Sequence, residues 1–170
     1  MVRFFLVFLL FTNLACARFI SNKQYDDALE EGRSGNLHFA FMKFKNYLAE
    51  NPDSIYAKNI KFALAEYYFQ VKDYREAINS LVDYITAFRK DESSIFAQAM
   101  LYNILLEYKK EPQLTEKIKA DFFAAPLFLV FSEFKSKYYK SILNNTYEII
   151  DYIDRVEFFK NNELFLKITP

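Results

Sequence analysis

Lys72-Asp73-Tyr74-Arg75-Glu76-Ala77-Ile78-Asn79-Ser80-Leu81 can be laid over Gly35-Asn36-Leu37-His38-Phe39-Ala40-Phe41-Met42-Lys43-Phe44. Each copy has a turn, then an apolar residue, a small residue three later and a large apolar residue four after that. Twelve residues before each small residue stands another: Ala28 before Ala40, and Ala65 before Ala77. This spacing predicts two antiparallel helices joined by a tight turn, which approach closely only where the facing side chains are small. Phe44, Tyr47, Leu81 and Tyr84 are then placed to fill the groove to the next helix. One such hairpin cannot bury its own apolar face, whereas stacked hairpins can.

The pattern extends outward from this pair. Residues 24–108 keep helical periodicity with very few breakers. The two clear copies lie 37 residues apart, with Asn51-Pro52-Asp53-Ser54 between them as a helix stop followed by a Ser or Asp cap. A third copy begins at Ser93. Ala99 and Tyr102 fall 34 positions after Ala65 and Tyr68, but Glu111 stands where the next small residue belongs and Pro112 follows it. The third pair is therefore expected to be degenerate or to act as a cap.

The two ends read differently. Arg3 followed by the apolar run Phe4–Phe11 is far shorter than the roughly 20 residues that span a bilayer. With the small residues after it, residues 1–15 read as a secretory signal; the plainer alternative is a buried N-terminal helix. Two outcomes stay open at its end. Ala15-Cys16 suits lipidation of Cys16, although Asn13 stands where a leucine is preferred, and Ala15-Cys16-Ala17 suits ordinary cleavage. Cys16 is the single cysteine, so it has no disulfide partner within the chain, and lipid attachment would consume its thiol.

At the other end, Pro112 and Pro126 bracket an expected helix, Gln113–Phe123, followed by the apolar stretch Leu127–Phe134. Beyond it, residues 146–150 and 156–159 are rich in β-branched and aromatic residues. Asn144-Asn145 and Asn161-Asn162 suit tight turns, because asparagine tolerates positive φ. A hairpin of 156–159 with 164–168 is one reading; a helix over 147–159 is the other. The expected role of this segment is to cap the last apolar face.

Composition excludes several functions. The chain has 170 residues, 52% hydrophobic and 19% aromatic, too apolar for a disordered chain. Lys and Arg number 22, as do Asp and Glu, with no block of like charge, so no nucleic-acid face is expected. Only Gly32 and Gly35 are glycine, too few for a phosphate-cradling loop. One histidine, His38, and one cysteine exclude the usual metal clusters and a Ser-His-Asp or Cys-His constellation. Asp26-Asp27 and Glu30-Glu31 occupy adjacent helical positions and diverge, unlike a glycosidase pair. Asn144-Asn145-Thr146 fits a glycosylation sequon, but beside a bacterial-looking signal a chance match is the expected reading. Neither an enzyme activity, a cofactor nor a small-molecule substrate is expected.

The repeat resembles the tetratricopeptide repeat, on Ala28, Gly35, Ala40, Phe44 and Pro52 in the first copy. Ala65, Tyr68, Tyr74, Ala77 and Leu81 carry it in the second, and Ala99 and Tyr102 in the third. The order of features is also similar to the BamD (ComL) family of lipoproteins of the outer-membrane β-barrel assembly machinery. Gln24-Tyr25-Asp26-Asp27-Ala28 follows a lipoprotein-like signal; Asn51-Pro52, Ser54-x-Tyr56-Ala57, Leu64-Ala65-Glu66-Tyr67-Tyr68 and Asp73-Tyr74-Arg75-Glu76-Ala77 then come in sequence. The likeness covers roughly residues 16–108.

This resemblance implies a mainly α fold, an α-α superhelix of about three tetratricopeptide-like helix pairs; the residues beyond it add a small C-terminal β-hairpin in the first of the two readings above. The expected organisation is a signal at 1–15, a repeat domain at 16–123 and a capping segment at 124–170. The first helix of each pair is expected to line a groove with Tyr25, Leu29 and Arg33; Phe62, Glu66, Phe69 and Gln70; and Phe96, Met100 and Asn103. Aromatic residues with a methionine and few charges suit an extended peptide or an amphipathic helix, although any one aromatic reads equally as core. The implied role is a periplasm-facing outer-membrane lipoprotein, anchored through Cys16. It would bind barrel-assembly subunits or unfolded outer-membrane clients. Three alternatives are a soluble periplasmic form, a generic envelope scaffold linked to cell-wall synthesis or division, and a helper subunit of an envelope enzyme or transporter.

Overall fold

A computed structural model describes residues 23–108, 113, 120, 136–152 and 154–169. The fold is mainly α: among the described residues, five helices precede a four-stranded antiparallel sheet. The helices are α1 (23–33), α2 (Leu37–Glu50), α3 (Ala57–Gln70), α4 (Tyr74–Ala87) and α5 (Ser94–Tyr108). The chain divides into two compact units, one ending at Ala57 and the other starting at Lys58. The signal segment, Cys16, Glu111, Pro112 and the stretch 127–134 lie outside the described residues, as does most of the expected helix 113–123.

In the first unit, α1 and α2 form the expected antiparallel hairpin. Gln24 Nε2 donates to Glu50 Oε2 at 3.2 Å, and Lys43 Nζ lies 2.8 Å from Glu31 Oε1. The connecting turn depends on Gly35, whose φ of +84° suits a residue without Cβ. Ala28 and Ala40 are both fully buried, as the small-residue spacing requires. Phe44 and Tyr47 complete the core, and burying a side chain such as Phe44 contributes roughly 2 kcal/mol. Tyr47 also shares a 2.8 Å hydrogen bond with Ser54, which ties the end of α2 to the following turn.

In the second unit, α3 and α4 repeat the hairpin. Phe62, near the start of α3, meets Tyr84, near the end of α4, edge to face at 5.3 Å. Lys72 takes the position of Gly35 in the turn, with φ of +60°. A non-glycine residue there costs roughly 1 kcal/mol, which the turn's hydrogen bonds offset. Asp73 caps α4, its carboxylate accepting from the Glu76 N–H at 3.4 Å. Tyr74 then reaches across from the start of α4 to Glu107 near the end of α5, at 3.0 Å.

The repeat is written in backbone hydrogen bonds at an interval of 37 residues. Asn36 N–H donates to Glu31 O at 2.9 Å, and Asp73 N–H to Tyr68 O at 3.0 Å. Asn51 bonds to Tyr47 as Phe88 does to Tyr84, and Ser54 to Asn51 as Asp91 does to Phe88. Ala57 bonds to Ser54 as Ser94 does to Asp91, so α3 and α5 also start 37 residues apart. The expected interval of 34 for the third copy is therefore corrected to 37. The two differ by three residues, close to one helical turn, which is why both choices select the same face of α5.

The sheet is larger than the expected hairpin. β1 (Ser136–Lys140), β2 (Thr146–Tyr152), β3 (Arg155–Lys160) and β4 (Glu163–Ile168) follow one another as an antiparallel meander. The hairpin of 156–159 with 164–168 is present as β3 and β4, so the helical alternative for 147–159 is excluded. Asn144, Asn161 and Asn162 have φ of 66°, 52° and 67°, the left-handed conformations expected of turn asparagines, whereas Asn145 is not left-handed and the β1–β2 turn runs over 141–145 instead of the expected Asn144-Asn145 pair. Asn161 also braces the β2 start, its side-chain oxygen accepting from Thr146 N–H at 2.8 Å. A register shift at Phe158/Phe159 bends the last pair. Alternation sends Tyr147, Ile149, Val156, Phe158, Leu166 and Ile168 to one buried face, where they join α3, α4 and α5 in a single core.

Candidate functional site

The residues expected to line a groove are mostly interior. In the first unit Tyr25 is buried, its ring stacked on Tyr56 with centroids 3.9 Å apart; Leu29 is half-buried and Arg33 exposed. In the second unit Phe62, Glu66, Phe96 and Met100 are 0% exposed. Phe69 is half-buried against Phe165, ring centroids 6.4 Å apart, and Asn103 Nδ2 donates to the Phe165 carbonyl at 3.0 Å. Of the second unit's expected groove residues, Gln70 alone is exposed.

The groove assignment is thus corrected for Tyr25, Phe62, Glu66, Phe69, Phe96, Met100 and Asn103. The physical reason in the second unit is the chain's own sheet, which lays aromatic side chains on the face formed by α3 and α5. Phe62 meets Tyr139 at 5.2 Å and Tyr147 at 5.9 Å, both edge to face. Phe96 meets Tyr139, Tyr147 and Phe158 within 6.5 Å. Edge-to-face pairs of this kind add about 0.5–1.5 kcal/mol each beyond the area they bury. Such contacts leave no vacancy for a peptide while the sheet is in place.

The residues expected to pack the repeat differ in burial. Ala28, Ala40, Phe44, Ala65, Ala77, Leu81 and Ala99 are fully buried, and Tyr102 is buried. Tyr68 and Tyr74 are half-buried; Gly35 and Pro52 lie exposed in turns.

One polar cluster stands out inside this apolar surround. Glu66, on α3, is completely buried, and its Oε1 accepts from Tyr147 Oη at 2.5 Å and from Ser141 Oγ at 3.1 Å. Its Oε2 has no hydrogen-bond partner among the described residues. Burial pushes the Glu66 carboxyl up from its ordinary value, against the opposing pull of Tyr147, Lys160, Ser141 and Asn145. Burial, then the neighbouring Glu66, holds the Tyr147 hydroxyl well above its usual range. Burial depresses Lys160 on β3, whose ammonium lies 5.9 Å from the centre of the Phe69 ring. The sequence pattern gives Glu66 no distinction from an exposed helix carboxylate; the signal lies in the aromatic strand 80 residues later.

A second cluster closes the α4–α5 turn. Tyr84 and Ser93 share a hydrogen bond of 2.5 Å, Ser93 bonds to Asp91, and Asp91 pairs with Lys58 at 2.7 Å. Burial pushes the Tyr84 hydroxyl up to about 12. The Glu66 cluster is enclosed, whereas the second reaches solvent through Lys58 and Asp91, whose side chains are 40% and 28% exposed; both networks hold elements together. Within the second, Ser93, whose hydroxyl donates to Asp91, is itself 0% exposed. Among the described residues no group of three or more His, Cys, Asp or Glu is placed to hold a metal ion.

Compared with known proteins, the chain matches no family model and no curated protein sequence.

Proposed function

We propose that this chain is a periplasm-facing lipoprotein scaffold of the outer membrane, anchored through Cys16 and acting by binding a partner subunit in β-barrel assembly. The observation that carries this reading is the 37-residue repeat of hydrogen-bonded helix turns, a device for joining helices in series rather than for building a reactive centre. The order of features from the signal to Tyr84, similar to the BamD lipoproteins, supports the location and the class of partner. Because the sheet covers the α3–α5 face, this reading takes the partner contact at another face. On α2, Phe39 and Met42 stand one turn apart, 62% and 44% exposed, and Ile55 beyond it is 80% exposed. A folded partner subunit, rather than an extended client, suits an open helix face of this kind.

Purification from the native membrane in mild detergent, with identification of copurifying proteins, tests the reading. Barrel-assembly subunits are the expected companions, and their loss is expected in Phe39→Asp/Met42→Asp. Recovery of cell-wall enzymes in their place would replace the proposal with a division or cell-wall scaffold. For the anchor, fatty-acid labelling is expected in the wild type and absent in Cys16→Ala; equal labelling in both excludes lipidation at Cys16. Among the described residues no helix is long and apolar enough to cross a membrane. In this reading attachment therefore rests on the lipid, each buried methylene contributing about 0.8 kcal/mol.

A further inference from the structure

Glu66 is the one carboxyl group found fully buried among the described residues, and it sits where α3 meets the sheet. Its two donors, Tyr147 on β2 and Ser141 in the β1–β2 turn, come from elements more than 70 residues away in sequence. Both converge on Oε1, so in the neutral acid the proton belongs on Oε2, the oxygen without a partner. An ionised carboxylate in the same place leaves a charged oxygen unsolvated and unbonded, which is far costlier than a lone hydroxyl.

The groups facing Glu66 from each packed element do not cancel that cost. From β2 comes Tyr147 and from the β1–β2 turn come Ser141 and Asn145, all uncharged. From β3 comes Lys160, a cation that favours the ionised form but contacts the Phe69 ring, not the carboxylate. From β1 comes Tyr139, whose hydroxyl is itself raised by burial and by the nearby Tyr84, Glu66 and Asp91. Met100 of α5 lies 4.0 Å from the Tyr147 hydroxyl and carries no charge.

We propose that Glu66 is a proton-operated latch: in its neutral form it holds β2 and the β1–β2 turn on α3, and in its ionised form it loosens that docking and frees the aromatic face of α3 and α5. The sign follows from linkage. The folded chain holds the proton to higher pH than the unfolded chain, whose carboxyl titrates near the ordinary value of 4.5. The latch is therefore fully effective below pH 4.5, weakens as the pH rises toward the raised folded value, and stays weak above it. Lys160 acts in the opposite direction, since burial depresses its ammonium and its own contribution improves as the pH rises.

The test is the denaturation midpoint of the full chain across pH 5 to 9, read for wild type, Glu66→Gln and Lys160→Met. Glutamine reproduces the neutral acid, so Glu66→Gln is expected to lose the Glu66-linked fall in midpoint and to exceed the wild type at pH 9. Lys160→Met is expected to carry the fall to higher pH, because the cation favouring ionisation is gone. Equal pH slopes in wild type and Glu66→Gln overturn the latch. The carboxyl carbon resonance of Glu66 in the wild type gives a test that needs no variant: a titration midpoint above 4.5 is expected, and a midpoint at 4.5 or below overturns the proposal.

Discussion

Phe62→Ala is expected to destabilise the second unit by about 3–5 kcal/mol, the range for truncating a fully buried phenylalanine. Phe62 is 0% exposed and meets three aromatic rings, Tyr84, Tyr139 and Tyr147, between 5.2 and 5.9 Å. Alanine removes the ring from all three at once. The surrounding side chains come from α4, β1 and β2, so no single shift closes the cavity. A domain of this size has roughly 5–15 kcal/mol in total, so the variant retains only a fraction of its folding free energy. Denaturant unfolding followed by far-ultraviolet circular dichroism measures the loss. A change below about 1 kcal/mol would show that the sheet does not pack on α3 as described.

The same residue explains what the sequence could and could not disclose. Helical spacing places Phe62, Glu66, Phe69 and Gln70 on adjoining positions of one helix, and it does so correctly. Spacing says nothing about what lies on top of that face. The cover comes from Tyr139, Tyr147 and Phe158, at separations no helical period reaches. One sequence signal did point to it. Ser94–Tyr108 carries a single charged residue, Glu107, and is apolar on nearly every side, the mark of a helix enclosed all round. Phe96 and Met100 on such a helix were poor candidates for an open groove.

Turns were more legible, because there the chemistry is local. Gly35 and the asparagines at 144, 161 and 162 announce left-handed backbone by residue type. Lys72 does not, and is recognised only through its alignment with Gly35. Ser136–Lys140 lacks the alternation that marks a half-buried strand, its sequence being Ser-Lys-Tyr-Tyr-Lys. It is a strand because Tyr139 pairs with Tyr147 across the sheet and both rings pack on Phe62. Glu66 needed the same long-range information. A glutamate on a helix is ordinarily solvated, and only the sheet makes this one interior.

Phe158→Asp is expected to undo the docking of the sheet altogether. Phe158 is fully buried on the inner face of β3, against Phe96 and Phe165. An aspartate there removes the ring and places a carboxyl group in a buried aromatic surround, a combination costing roughly 4–5 kcal/mol or more. Strand propensity and the β2–β3 and β3–β4 pairings persist locally, so release of the whole sheet from the helices is a lower-cost outcome than burying the charge. That release exposes Phe62, Phe96 and Met100 together, an apolar area larger than a soluble monomer ordinarily presents. Strong binding of a hydrophobic dye, with helical content largely kept, is the expected result at neutral pH. Lowering the pH to protonate the aspartate restores part of the docking, the opposite sign to an unspecific acid-induced loss. If the face so exposed then captures an apolar helical peptide that the wild type ignores, the helices carry a peptide groove whose resident occupant is their own sheet. If dye binding stays at the wild-type level, the sheet is not what covers α3 and α5.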